Sequence, residues 1–311
     1  MSDPILYHDF RTFLAKYFAG KVQKISINAG FSCPNRDGVV GVGGCTYCNN
    51  QTFNPAYCQT NKSITEQLKE GKAFFARKYP EMKYLAYFQA YTNTYDTVDR
   101  LMNKYTEALE VTDVVGVVIG TRPDCVSDTL LDAIAELRKK TFVLMEYGIE
   151  SASDKTLWRI NRGHTFAQTI DAVQRTAKRQ IPVGGHLILG LPGETREELI
   201  AQAHQISALP LEVLKLHQLQ LIRGTRMAQE FQENPTDFSL LYNKVDDYID
   251  LVIDYIAALR PDLVIERFTS QSPRSLLVAP DWGLKNYELV AKLQKRMKER
   301  NMWQGKYAKN E

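Results

Sequence analysis

The chain has 311 residues, 44% of them hydrophobic, and a net charge of +3, which suits a substantial core in one large domain or two small ones. Five cysteines, three of them clustered, argue against a secreted disulfide framework. No apolar run approaches the roughly eighteen residues a bilayer crossing needs, and no charged-then-apolar leader opens the sequence, so the expectation is a reducing, cytoplasmic compartment without a membrane partner.

The first strand candidate, Lys24–Asn28, runs into Gly30-Phe-Ser-Cys-Pro-Asn-Arg-Asp-Gly-Val-Val-Gly-Val-Gly-Gly-Cys-Thr-Tyr-Cys48, which carries Cys33, Cys45 and Cys48. Three thiolates from one loop can hold three irons of a [4Fe-4S] cube and leave the fourth iron open to a ligand, an arrangement for chemistry rather than electron storage. Gly38, Gly41, Gly43 and Gly44 let the backbone turn around a bulky cluster, and Tyr47 places an aromatic edge beside whatever binds the open iron. A structural zinc completed by Cys58 is the second reading of this loop. Its spacing of eleven, two and nine residues lacks the two close pairs of a zinc ribbon.

From there, short β-branched or aromatic runs alternate with stretches of helical period. The strand candidates are Tyr84–Gln89, Val114–Gly120, Phe142–Ile149, Val183–Leu189 and Val213–Leu219. The helix candidates are Ile64–Lys78, Thr97–Glu110, Asp128–Lys139, Asp154–Ile160 with Phe166–Arg179, Arg196–Ala208 and Thr225–Glu233. Ser63 and Ser127 stand at N-cap positions, and Pro80, Pro182 and Pro210 at breaks. Strand-then-helix units in series call for a parallel sheet, because parallel neighbours need helical crossovers. Six units are too few for an eight-stranded barrel and predict an α/β fold, a six-stranded, three-quarter parallel β/α barrel over residues 1–235. Ligands in such sheets sit at the carboxyl ends of the strands.

The second strand ends in Ala86-Tyr-Phe-Gln-Ala-Tyr91, where Gln89 offers a carbonyl oxygen to an ammonium group. The third ends in Gly120-Thr-Arg-Pro-Asp-Cys125, with Asp124 and Ser127 as candidate caps for the next helix. In the fourth, alternation puts Glu146, Gly148 and Glu150 on one face. Acids that project inward are costly unless they bind something, so Glu146 and Glu150 are site candidates, with a surface position as the plain alternative for Glu150. Arg162, in Asn161-Arg-Gly-His164, can take a carboxylate in a bidentate grip. The fifth strand gives His186-Leu-Ile-Leu-Gly-Leu-Pro-Gly-Glu194, whose glycines permit backbone approach to a flat ligand. The sixth carries Lys215 and His217, and a lone histidine is more often a hydrogen-bonded core residue than a catalyst. Together these describe a pocket for a nucleoside attached to an amino acid, a description that S-adenosylmethionine meets.

Beyond Asn234-Pro235 the alternation stops. A long helical pattern from Phe238 to Leu259, a strand candidate Leu263–Phe268 and a basic terminal helix make an expected extension over 236–311, packed on the barrel. Between Lys285 and Lys309, eight basic residues stand against Glu288 and Glu299. That segment either faces nucleic acid or is a solvated helix face.

These stretches resemble radical S-adenosylmethionine (radical SAM) enzymes, most closely the YtqA-like subgroup with its Elp3-like core, over nearly the whole chain. The resemblance implies a [4Fe-4S] cluster on Cys33, Cys45 and Cys48, with Tyr47 as the aromatic residue whose backbone meets the adenine. It implies Arg162 on the methionine carboxylate, and Glu150 and His186 along the adenosyl group with Glu146 beside them. Gln89 stands where the superfamily usually has Gly-Gly-Glu for the methionine amine. One-electron reduction by a flavodoxin- or ferredoxin-type partner would then cleave S-adenosylmethionine to a 5′-deoxyadenosyl radical. The subgroup further implies tRNA as substrate, with a carboxymethylaminomethyl group at C5 of a wobble uridine converted to aminomethyl by hydrogen abstraction from the glycine-derived methylene and C–N scission. The basic terminal helix, with Trp303 and Tyr307, is then the expected tRNA surface, extended by Arg267 and Arg274. Two other readings stay open: a radical enzyme acting on a small metabolite, and a zinc-dependent RNA-binding protein that uses Cys58. Cys58 and Cys125 are otherwise bystander thiols.

Overall fold

The apolar runs do not alternate with polar residues because helices cover one face of each strand and a filled barrel interior covers the other. A computed structural model describes residues 5–52, 54–76 and 81–308. Its strands are β1 (Val22–Ile27), β2 (Lys83–Phe88), β3 (Val114–Thr121), β4 (Phe142–Glu150), β5 (Val183–Leu189), β6 (Val213–Gln218), β7 (Leu221–Ile222), β8 (Val264–Arg267) and β9 (Leu277–Ala279). Its helices are α1 (Phe10–Leu14), α2 (Ile64–Ala76), α3 (Val98–Leu109), α4 (Asp128–Arg138), α5 (Asp154–Arg159), α6 (Phe166–Lys178), α7 (Arg196–Ser207), α8 (Arg226–Glu233), α9 (Val245–Ala258) and α10 (Asn286–Glu299). The expected break at Pro80 and the expected helix end at Lys78 lie outside the described residues.

One sheet runs β1-β2-β3-β4-β5-β6-β8 with every neighbouring pair parallel, while β7 and β9 form a separate antiparallel pair. The partial α/β barrel expected from the sequence is present, with seven strands instead of six. The seventh is the Leu263–Phe268 candidate of the extension, which pairs with β6. The long helical pattern expected from Phe238 begins only at Val245, because Pro235–Phe238 turns as a short 3-10 helix. Ser63 and Ser127 cap as expected, their hydroxyls accepting from the backbone of Glu66 and Leu130. No helix among the described residues is long and apolar enough to cross a membrane.

The barrel interior is filled in layers. Phe13 and Leu14 of α1 plug one end, packed with Leu85, Leu144, Val213 and Val264. Two residues further along the same strand faces, Lys24, Tyr87, Glu146, Lys215 and Glu266 form a charged layer, and above it the interior opens. Lys24 of the first strand reaches Glu266 of the last at 2.7 Å, so the open side of the sheet is bridged by an ion pair.

The terminal helix turns part of its charge toward a neighbouring helix. α10 packs on α9, whose Asp246, Asp250 and Asp254 recur at the helical four-residue interval. Arg296 pairs with Asp250 at 2.8 Å, Arg300 with Asp250 and Asp254, and Lys292 with Asp246 at 3.5 Å. Lys306 lies over the Trp303 ring. Three of the eight basic side chains expected at a phosphate surface, Lys292, Arg296 and Arg300, are thus paired with α9, and Lys309 lies outside the described residues.

The loop that follows β1 is closed at its base by Gln67, which is fully buried on α2. Its side chain accepts from the Asn28 backbone and donates to the carbonyls of Asn28, Gln59 and Lys62. Gln67→Ala would strand several buried backbone groups, so it should cost about 2–3 kcal/mol. A lowered urea midpoint with unchanged slope is the expected result. An unshifted midpoint would show that water replaces the amide.

Candidate active site

Each cysteine of the loop is set by local backbone geometry. The Cys33 carbonyl accepts from Arg36 and Asp37, which turns the chain immediately, and Gly43 and Gly44, at φ +83° and +80°, turn it back to Cys45. The Cys48 amide then bonds to the Cys45 carbonyl at 3.0 Å. The turn is clamped from outside, since Thr46 donates to Ile160 and accepts from Met227.

The Asn161-Arg162-Gly163-His164 segment is the second half of this clamp. Asn161 Nδ2 donates to the Gly44 carbonyl at 2.8 Å, and Asn35 Nδ2 bridges the Asn161 carbonyl and the Cys45 sulfur. Arg162 Nη1 points at the same sulfur, 3.6 Å away, and Asn50 Nδ2 lies 3.8 Å from the Cys48 sulfur. Two of the three thiols thus already carry N–H donors suited to a thiolate. His164 donates or accepts only within its own turn and at Gly148, and burial pushes it down to about 3, so it is a neutral structural residue.

Cys33, Cys45 and Cys48 all line one cavity of about 260 Å³ at the carboxyl ends of the strands. Tyr47, Gln89, Glu146, Glu150, Arg162 and His186 line it as well, so every expected site residue reaches one space. Their engagements differ from the expectation. The Gln89 carbonyl accepts the Ser26 hydroxyl at 2.9 Å. Glu150, at φ +68° where β4 slips register against β5, lies 3.4 Å from Arg162. Arg162 also donates to the Gly148 carbonyl at 2.6 Å, and its Nε is buried without a partner.

Glu146 is not free to bind a ribose. Its two oxygens are taken by Lys24 at 2.7 Å, Lys215 at 2.6 Å and His186 at 2.9 Å. Burial alone would raise this carboxyl, but Lys215 and Lys24 hold it well below the usual carboxylate range. Burial lowers His186 and pushes Lys215 down to about 8 against the pull of Glu146 and Glu266. The Gly190–Glu194 stretch also departs from expectation. The Gly190 backbone packs on the Leu240 carbonyl rather than on the cavity, and Glu194 bonds to Ser151 and Gln202. Asp124 pairs with Arg122 at 2.8 Å instead of capping a helix.

The sequence singled out neither Lys24 nor Tyr87 and gave Lys215 no role, although each is a polar residue at an inward position of an apolar strand. It also passed over Asn35, Asn50 and Asn161, for which no sequence pattern exists, since their role depends on loops meeting in space. Cys58 is buried, its thiol donates to the Ser26 carbonyl at 2.9 Å, and burial pushes it up to about 12. It does not line the cavity. Among the described residues no three His, Cys, Asp or Glu side chains gather closely enough for a single metal ion. A four-iron cube spreads its thiolates wider than one zinc does, so the three-cysteine loop suits the cube. The unpartnered Arg162 Nε and Arg122 Nη1, both on residues lining the cavity, suit an anionic ligand group beside it.

Comparison with known proteins identifies a family. Residues 33–205 match the radical SAM superfamily model and residues 211–299 the radical SAM C-terminal domain model. The chain is similar to the protein YtqA of Bacillus subtilis (strain 168), 34% identical over 97% of this chain and 92% of that one. It is 37% identical to the protein YhcC of Escherichia coli (strain K12) over 86% of this chain and 85% of that one. In fold it is similar to the archaeal Methanocaldococcus infernus Elp3, with a TM-score of 0.69 at 16% identity over 92% of this chain and 65% of the other.

Proposed function

This chain belongs to the radical SAM superfamily, and from that premise we propose that it modifies a wobble uridine of tRNA, with Cys33, Cys45 and Cys48 holding its [4Fe-4S] cluster beside S-adenosylmethionine. The observation that carries the assignment of ligands is the convergence of these three cysteines on one cavity, with Asn35, Asn50 and Arg162 aimed at two of their sulfurs. When bound, the cluster and S-adenosylmethionine supply a carbon radical able to take a hydrogen atom from an unactivated C–H bond.

The chain's own residues bind and orient. Arg162 Nε and Arg122 Nη1 are the donors left for the methionine carboxylate, and Gln89 keeps a second lone pair on its carbonyl for the amine. Glu150 fixes the Arg162 guanidinium, while Tyr47 and His186 line the wall for the adenosyl group. Glu146 acts through Lys24, Lys215 and His186, as a positioning residue under that wall. A flavodoxin- or ferredoxin-type protein is the proposed reductant.

The tRNA reading is supported by the YtqA-like relationship and by a more distant one. Over 38% of this chain it is 27% identical to the tRNA-2-methylthio-N(6)-dimethylallyladenosine synthase of Ruegeria sp. (strain TM1040). The reaction proposed is a net two-electron oxidation of the glycine-derived C–N bond of a carboxymethylaminomethyl uridine to an imine, with S-adenosylmethionine as the oxidant ending as methionine and 5′-deoxyadenosine, and hydrolysis of that imine by water to aminomethyl uridine and glyoxylate. Anaerobic incubation of the reconstituted protein, reductant and S-adenosylmethionine with tRNA bearing the carboxymethylaminomethyl group tests it by nucleoside mass spectrometry. Aminomethyl uridine is the expected product. Cleavage of S-adenosylmethionine with no change in the tRNA would favour a small-metabolite substrate instead.

A further inference from the structure

The cations on strand faces inside the barrel are not equivalent. Lys24 and Lys215 share Glu146 and Glu266, whereas the exposed Arg267 side chain makes no hydrogen bond or ion pair with any described residue. Yet Arg267 lines the cavity. Its orientation comes from a bulge in the last strand. Leu214 stands opposite Ile265 and Lys215 opposite Arg267, so Glu266 and Arg267 together face one residue of β6. Strict alternation would send them to opposite faces. The bulge brings Glu266 onto Lys24 and Lys215 and lets Arg267 line the cavity while staying exposed to solvent.

A second unmet group lies beside it. His217 is two residues beyond Lys215 on the same face of β6, lines the cavity, and its Nε2 is buried with no hydrogen-bond partner. Ser270 and Ser272, just past β8, complete this wall. A solvent-exposed guanidinium with five N–H donors and a neutral imidazole with a buried, unpartnered Nε2, both lining one cavity, suit one acceptor-rich anion. These groups lie away from the Cys45–Arg162 clamp, on strands that the expected S-adenosylmethionine contacts do not use.

We propose that Arg267, with His217, is the subsite for a carboxylate of the substrate, taken by the guanidinium in a two-pronged hydrogen bond within the cavity that holds the reacting carbon. The inference rests on reading this cavity as the substrate site of a radical SAM enzyme. It deepens the tRNA reading by making the negative charge of the carboxymethylaminomethyl group the feature that is recognised. A backbone phosphate is the other source of such an anion. Arg267 stands opposite Lys215 of the charged layer and lines the same cavity as the three cysteines, so the carboxylate favoured here is the one carried by the reacting substituent itself.

The test uses anaerobically reconstituted protein with S-adenosylmethionine and two anticodon stem-loops. They differ only in whether the wobble substituent ends in a carboxylate or a carboxamide. Wild type should bind the carboxylate loop about tenfold or more tighter, the scale of a hydrogen bond to a charged group. Arg267→Gln should bring that ratio close to one and Arg267→Lys should restore part of it, with circular dichroism and iron content reporting that both variants fold. A ratio of one in wild type, or a ratio kept in Arg267→Gln, overturns the proposal. Equal weakening of both loops with a shallower salt dependence also overturns it, in favour of a phosphate contact. If wild type binds neither loop, the tRNA reading fails alone, and the ratio for N-benzylglycine over its amide decides the subsite by the same criterion.

Discussion

Cys45→Ala should leave the protein folded but unable to keep its cluster, and formation of 5′-deoxyadenosine from S-adenosylmethionine should fall by more than about a hundredfold, beyond what loss of an outer-shell contact costs. Cys45 is the buried member of the three and the one contacted by both Asn35 and Arg162. Alanine at this position removes a ligand and strands the Asn35 and Arg162 N–H groups that support it. Cys58→Ala and Cys125→Ala should retain iron and activity. The Cys58 thiol donates to the Ser26 carbonyl, and neither Cys58 nor Cys125 lines the cavity on which the three loop cysteines converge. Iron content, visible absorbance and product chromatography after anaerobic reconstitution make the comparison. Stoichiometric zinc in wild type without cleavage would overturn the assignment, and so would a Cys45→Ala protein that still cleaves.

The parts of this site that were legible in the sequence are those written in consecutive residues. The cysteine spacing, its glycines and the strand-then-helix rhythm all depend on local chemistry, and the parallel sheet follows from them. What was not legible depends on distant residues meeting. Glu146 could be placed on the inward face by alternation, but its partners Lys24 and Lys215 are 122 and 69 residues away, so an occupied carboxylate looked like a vacant one. The partners of the basic terminal helix were hidden for the same reason. Asp250 and Asp254, which neutralise its arginines, belong to a helix some 46 to 50 residues earlier. The bulge at Glu266 was not legible either, and it lets Arg267, expected toward the barrel mouth, line the cavity while staying exposed.

The charged layer beneath the cavity should be costly to break and should show itself in the pH dependence of stability. Glu146→Gln removes the carboxylate shared by Lys24, Lys215 and His186, leaving two buried ammonium groups with Glu266 alone. Breaking a buried network on one side costs about 3–5 kcal/mol, so the urea midpoint at pH 7 should fall sharply. Because the native carboxyl lies well below its ordinary value, this stability is complete above the unfolded-state titration, and the gap to the variant should close as pH falls below about 4.

Lys215 gives the opposite sign at the alkaline end. It faces Glu146, Glu266, Lys24, Arg267, Tyr87 and the two neutral histidines, and gives up its proton near 8 in the fold but only near 10.5 when unfolded. Unfolding between those values takes up a proton, so wild-type stability should rise with pH relative to Lys215→Met, by at most about 1.4 kcal/mol per pH unit. Lys24 is raised and acts only above that window, and the raised thiols of Cys58 and Cys125 are common to both proteins and cancel in the difference. Urea unfolding of the pair between pH 7 and pH 10 measures the slope. Parallel curves would mean that Lys215 keeps its proton throughout, and that the charged layer holds four full charges under the cavity instead of releasing one.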